Sequence, residues 1–271
     1  MKHAGEIRLI VNADDFGFNR DVNAGIIDAH QNGILTSTTL MANGDAFADA
    51  VALAQMTPSL VVGCHAVLVQ GTSVRDASRP LPATLPQLAR ALMRGEIPPY
   101  EEIRAQVQKI VDAGIRPTHI DTHKHTHLMP PVLRAVARVA KEFGIRWVRR
   151  PFDFGIDARA ALTKRAVAMG MRAMAPEFAR TLDGLCTTDY FTGFQLTGSL
   201  DDTRLIEAIE RLPEGLTEFM SHPGRPGREL ENAPTRLKES RAIELAALCS
   251  PRTREAIQRR GIRLVRYRDL Y

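Results

Sequence analysis

Short β-branched runs alternate with amphipathic helical segments along this chain. Residues 7–11 (IRLIV) predict a first strand, and the spacing of Val22, Ile26, Ile27 and His30 predicts a helix over residues 19–32. Asn32-Gly33 predicts a left-handed stop for that helix, a conformation glycine adopts cheaply. A strand over residues 35–41, an Ala-rich helix over 46–55 and a buried strand over 59–64 follow. Residues 69–86, rich in Ser, Thr, Pro and Arg, read as a long loop, and a connection of that length suits a lid. Helical spacing returns at Ile103, Val107, Ile110 and Val111, then a strand at 118–121. Val132, Leu133, Val136 and Ala140 predict a further helix before a strand at 146–149. Leu205, Ile206, Ile209 and Leu212 form the last clear helix, with strands at 216–220 and 262–265. Seven or eight strands alternating with helices imply right-handed βα units and a parallel sheet. The expected fold is α/β: a single domain over residues 1–271, an irregular TIM-like (β/α) barrel with its active site at the C-terminal ends of the strands.

Composition narrows the class. With 44% hydrophobic and 25% charged residues in 271, the chain can bury one ample core, which excludes disordered and fibrous classes. Three distant cysteines make no disulfide frame or zinc knuckle, which suits a reducing cytoplasm. An acidic pair interrupts the amino-terminal apolar run too early for a signal peptide, and no stretch reaches the length of a membrane span. Lys and Arg outnumber Asp and Glu by 36 to 31, and Arg252, Arg254, Arg259, Arg260, Arg263, Arg266 and Arg268 concentrate the excess near the end. That basic segment admits a nucleic-acid or membrane-binding module. One Trp and four Tyr provide no stacking platform, so no nucleic-acid partner is expected.

Chemistry concentrates beyond the predicted strands. In VNADDFG (residues 11–17), Asp14 and Asp15 end a strand, and their side chains diverge. One carboxylate can hold a cation while the other takes a proton from water; helix capping is the plainer role. In HIDTHKHTH (residues 119–127), every second residue is His or Asp, so an extended chain would place five of them on one face as transition-metal ligands. A catalytic ion takes about three protein ligands, so some of these side chains must do other work, and Asp121 is a candidate to orient a ligand. His65 and His222 each follow a predicted strand, where active sites of α/β proteins gather. Arg149 and Arg150 end another strand and suit substrate contact, ionisation of Asp14 or a surface salt bridge.

Together VNADDFG, the G-x-H of residues 63–65, HIDTHKHTHLMP, the SHPG of residues 221–224 and the ending YRDLY resemble the YdjC-like carbohydrate deacetylases, particularly the branch associated with hopanoid biosynthesis. The resemblance implies an irregular barrel, often a homodimer, that removes N-acetyl groups from sugars with a divalent metal, zinc or magnesium. It implies Asp15, His65 and His123 as metal ligands, Asp14 as general base and His222 as general acid. Asp121, His125, Arg149 and Arg150 remain for substrate binding or support of the ligands. Cys64 and Lys124 depart from the family pattern beside two ligand histidines. The implied substrate is an N-acetylated sugar or glycolipid such as an N-acetylglucosaminyl hopanoid, met in the cytoplasm with peripheral contact at the inner membrane face. A chitooligosaccharide or diacetylchitobiose is the alternative substrate, and a metal-dependent phosphoesterase the alternative reaction. Residues 159–176 mix Arg and Lys with Met, Leu and Val, a composition that suits lipid contact, core packing or a dimer interface.

Overall fold

A computed structural model describes residues 5–270; residues 1–4 and 271, the two ends of the expected domain, lie outside the described residues. Its strands are β1 (Ile7–Phe16), β2 (Ser37–Leu40), β3 (Val61–Ala66), β4 (His119–Thr122), β5 (Trp147–Val148), β6 (Tyr190–Thr192), β7 (Gly215–Ser221) and β8 (Arg263–Leu264). All pairings are parallel, in the order β5-β4-β3-β2-β1-β7-β6. β7 follows one edge of β1 from Ile7 to Ala13, while β8 and β2 divide the other, β8 at Arg8 and Leu9 and β2 from Asn12 onward. No ladder joins β5 to β6 among the described residues; single bridges from Trp147 to Cys186 and from Asp153 to Phe191 span that gap. The architecture is therefore α/β with a curled, barrel-like parallel sheet.

Strand periodicity sorts the side chains into layers. Leu9, Val11, Val62, Cys64, Ile120 and Phe219 join one core with helical residues such as Val22, Ile26, Val107, Val136, Ile209 and Leu248. The alternate residues Ile10, Val61 and Leu216 pack with Trp147, Val265 and Tyr267 in a second, separate cluster. Two residues further along the same strands come Asn12, Gly63 and Glu218, and beyond them Asp14, His65 and Met220, so the second face turns from apolar to polar toward the strands' carboxyl ends. His119 and Asp121 continue this pattern from β4, with His65 in register beside Asp121.

Local sequence explains most boundaries. Asn19 caps the helix Arg20–Asn32 by accepting from the Val22 amide at 2.8 Å. Gly33 does not take the expected left-handed stop: its φ is −128° and ψ −148°. Glycine is required there for space, because a Cβ would sit 2.6 Å from the Ala29 carbonyl oxygen and 2.7 Å from that of Leu248. The expected loop at 69–86 is shorter, since Thr84 caps an amphipathic helix, Leu85–Met93, that begins within it. Its earlier part is pinned rather than free, with the Ser73 hydroxyl and Val74 amide donating to the Glu102 carboxylate at 2.5 and 2.8 Å. β6, only three residues long, has no counterpart among the strands that periodicity predicts.

The histidine stretch departs most from expectation. It is extended only to Thr122; residues His123–Leu128 form a 3-10 turn in which Lys124 and His125 take left-handed backbone angles, φ 54° and 52°. Period two therefore ends at Asp121, and the four histidines separate into different environments. The strand ends here because the Thr122 hydroxyl accepts from the His127 amide at 2.9 Å, folding the chain back on itself.

Candidate active site

The floor of the site is a buried charge network. Arg149, just past β5, is wholly buried, and its guanidinium grips Asp14 with two hydrogen bonds of 2.6 and 2.7 Å. It also reaches Asp121 at 2.5 Å and Glu218 at 2.8 Å. One cation thus faces three carboxylates. Burial pushes the Asp14 pKa up, but Arg149, aided by His65 and His222, outweighs it and holds the carboxyl well below the usual range. Burial dominates at Glu218, whose pKa is raised. The Asn12 side-chain amide donates to Asp14 at 3.0 Å and is fixed by His119, whose Nε2 donates to Asn12 Oδ1 at 2.9 Å. The His119 ring stacks on Tyr267 and lies against Gly63, where a Cβ would come within 2.6 Å of it.

Above this floor Asp15, His65 and His123 converge. Asp15 has φ 69°, at a register shift in the β1–β2 ladder, and this break in period two lets its carboxylate reach the face that carries His65. Its Oδ2 accepts from Arg241 at 2.5 Å, while the buried Oδ1 has no hydrogen-bond partner. Oδ1 lies 3.5 Å from His65 Nε2 and 3.4 Å from His123 Nδ1, and those nitrogens are 3.3 Å apart. Three ligands about 2.1 Å from one ion at tetrahedral angles would be separated by roughly 3.4 Å. The orphaned oxygen and the near-equilateral triangle therefore fit a metal ion, with these three residues as ligands. Asp121 Oδ1 accepts from His65 Nδ1 at 2.7 Å, the bond that leaves Nε2 free to ligate. Burial lowers the His65 pKa, yet Asp121, Asp14 and Asp15 together raise it to about 9. At His123 burial wins, and the pKa falls below the usual histidine value.

The other anticipated residues lie at various distances from this centre. His222, directly after β7, lines the same cavity; its amide donates to Glu244 at 2.6 Å, and its Nδ1 is 3.9 Å from that carboxylate. His125 also lines the cavity, between Phe191 and Phe194, with a buried Nδ1 that has no partner. Burial, and then Arg149, keeps its imidazole neutral. His127 is occupied with the Thr122 hydroxyl and the Arg149 carbonyl. Arg150 turns away from the centre to donate to the Asp189 carbonyl. Three buried partners are absent from the residues that sequence singles out: Arg241, Glu244 and Glu218. Arg241 and Glu244 share one face of the helix Glu239–Cys249 with Leu248, and charges in a helix's buried stripe are the available signal.

The cavity above these residues measures about 1080 Å³ and mixes the charged floor with apolar walls that include Phe18, Met129, Val167, Met171 and Phe194. Residues 8–259 match the family model described as YdjC-like protein. The chain belongs to the YdjC-like family. This YdjC-like chain is 34% identical over 268 residues to a Geobacillus stearothermophilus protein named carbohydrate deacetylase, with 97% of each covered. It is 31% identical over 276 residues to the chitooligosaccharide deacetylase of Salmonella schwarzengrund (strain CVM19633), covering 97% of this chain and 98% of that one. The YdjC-like fold also matches the crystal structure of an Enterococcus faecalis V583 protein, provisionally named a cellobiose-phosphate cleavage protein, with TM-score 0.76 and 24% identity over 98% of this chain and 99% of that one. No helix among the described residues is long and apolar enough to cross a membrane.

Proposed function

We propose that the chain hydrolyses the N-acetyl group of an amino sugar, with the sugar carried on a lipid such as a hopanoid. The observation that carries this reading is the Asp15–His65–His123 triangle beside a carboxylate, Asp14, that Arg149 keeps ionised. Amide hydrolysis needs an attacking water, charge stabilisation at the carbonyl oxygen and a proton for the departing amine. Asp14 accepts the proton as the water oxygen bonds to the carbonyl carbon. His222 donates a proton to the nitrogen as the C–N bond breaks, which yields acetate and a free amine. Glu244 accepts from the His222 amide at 2.6 Å and lies 3.9 Å from Nδ1, which fixes the residue at the cavity. His125 offers its unpartnered Nδ1 as a hydrogen-bonding group for the sugar.

Asp14 is a weak base because Arg149 holds its pKa so low, and it suffices only for an acidified water. A divalent cation held by Asp15, His65 and His123 would supply that acidification and polarise the acetamide oxygen. Two imidazoles and one carboxylate at tetrahedral spacing favour zinc over magnesium, which prefers six oxygen ligands. The lipid part of the reading rests on the branch resemblance and on the apolar cavity walls.

The test is acetate release from an N-acetylglucosaminyl glycolipid and from a chitooligosaccharide by chelated enzyme, with and without zinc. Zinc-dependent acetate is expected, faster from the glycolipid. Asp14→Asn should lower kcat by about 100-fold or more without loss of bound zinc. Acetate formed equally by the chelated enzyme would overturn the metal role, and none from either substrate would overturn the reaction.

A further inference from the structure

The helix Leu162–Ala173 (LTKRAVAMGMRA) has the polarity of its outer face reversed. Ala168 and Met171 are buried, but the outward side, where a water-soluble helix carries charge, is apolar: Leu162 is 76% exposed, Met169 59% and Val167 51%. At about 100° per residue, Met169, Leu162, Ala173, Ala166, Gly170, Thr163 and Val167 succeed one another around an arc of roughly 160°. Arg165 and Arg172 stand at one edge of the arc, Lys164 lies on the inner side beyond Met171 with its Nζ donating to the Thr197 carbonyl, and the helix has no acidic residue. The arc runs to the cavity itself, because Val167 and Lys164 both line it. Leu85 (38% exposed) and Ile243 (51%) add apolar surface from two other segments that line the cavity.

We infer that this helix and the adjoining cavity rim dock on an anionic lipid surface, with the apolar arc seated among acyl chains and the flanking cations at the headgroups. Long basic side chains beside an apolar arc match the division between acyl chains and phosphates. A second copy of this chain is the weaker occupant, since a two-fold contact through this face would bring Arg165 and Arg172 close to those of the other copy with no acidic residue on the helix to offset them. Positive charge continues at the cavity, which Lys124 and Arg236 line too. The inference extends the glycolipid reading. The sugar would pass from the lipid surface over Val167 into the cavity while its tail stays behind.

Flotation with vesicles separates this idea from the catalytic reading. The zinc-loaded full chain should float with phosphatidylcholine vesicles containing about 30 mol% phosphatidylglycerol and not with phosphatidylcholine alone. Leu162→Asp and Met169→Asp together, at positions that do not line the cavity, should lower the bound fraction at least about tenfold. The same variant should retain its rate on a soluble chitooligosaccharide. Ala166→Trp should show a blue-shifted emission with the anionic vesicles, which reports insertion even if the double variant folds poorly. Failure of the wild type to float, undiminished flotation of the folded double variant, or an unshifted Ala166→Trp emission would overturn the inference. So would a wild-type dimer that the double variant splits without any lipid binding. None of these outcomes depends on acetate release, so the deacetylase reading stands or falls separately.

Discussion

The floor and the rim of the cavity are built on opposite terms. On the floor, Arg149, Asp14, Asp121, Glu218 and His65 are buried and tied by short polar contacts that determine each other's positions. At the rim, Val167, Leu85 and Ile243 are exposed apolar side chains on three separate segments. A floor of buried charges tolerates little change, because removing one member strands the others. A rim of separate apolar contacts can be altered one residue at a time. Under the proposed function, reaction and substrate choice therefore depend on different parts of the cavity, with different costs of revision.

The sharpest way to break this contrast is Arg149→Met, which leaves up to three carboxylates buried without their cation. A loss of about 3–5 kcal/mol in urea unfolding is expected, together with loss of acetate release. A variant as stable as the wild type would show the floor to be far looser than its geometry implies.

A second effect is pH-dependent. In chelated enzyme the raised His65 pKa adds stability that is fully present below about 6.5 and is lost as pH rises through about 9. The depressed carboxylates Asp14 and Asp15 add stability that is present above the ordinary value of 3.8 and is lost as pH falls through their lower folded values. Urea midpoints should therefore be highest between these limits and decline toward pH 10, by up to about 3 kcal/mol for His65. Zinc loading should remove the alkaline decline, since a ligated imidazole carries no proton on that nitrogen. A midpoint that stays flat to pH 10 without metal would mean that His65 is already neutral at pH 7.

The smallest effect belongs to the rim. Ile243→Ala should change stability by less than about 0.5 kcal/mol. It should lower kcat/KM on a glycolipid roughly three- to tenfold while leaving a soluble chitooligosaccharide nearly unaffected. Equal loss on both substrates would place Ile243 among the residues that organise the floor.

Legibility in the sequence divides along similar lines. Asp14, Asp15, His65 and His222 are legible because each lies just beyond an apolar run, the first three in the last residues of β1 and β3 and His222 directly after β7. His123 is legible as a companion of Asp15 and His65, but the extended conformation that period two suggests for its stretch does not hold, since no glycine announces the left-handed angles at Lys124 and His125. Arg241 and Glu244 are hidden for another reason. In an isolated helix pattern they read as solvent-facing charges, and only tertiary packing turns them toward Asp15 and His222. Seven of the eight described strands and the helices with long apolar stripes, such as Arg20–Asn32 and Pro130–Glu142, are evident from periodicity, whereas the three-residue β6 is too short to register and the amphipathic helix Leu85–Met93 begins inside a stretch whose Ser, Thr and Pro read as loop.

The placement of β1 between β7 and β8 has a consequence for how the chain is made. After β1 leaves the ribosome, roughly 200 further residues must be synthesised before β7 exists to pair with it, which at about 5–20 residues per second is on the order of ten to forty seconds. Through that interval one long edge of β1 stands open, and Asp14 waits on a guanidinium that appears only at position 149. Until then the adjacent charges of Asp14 and Asp15 oppose pairing of that edge with another chain.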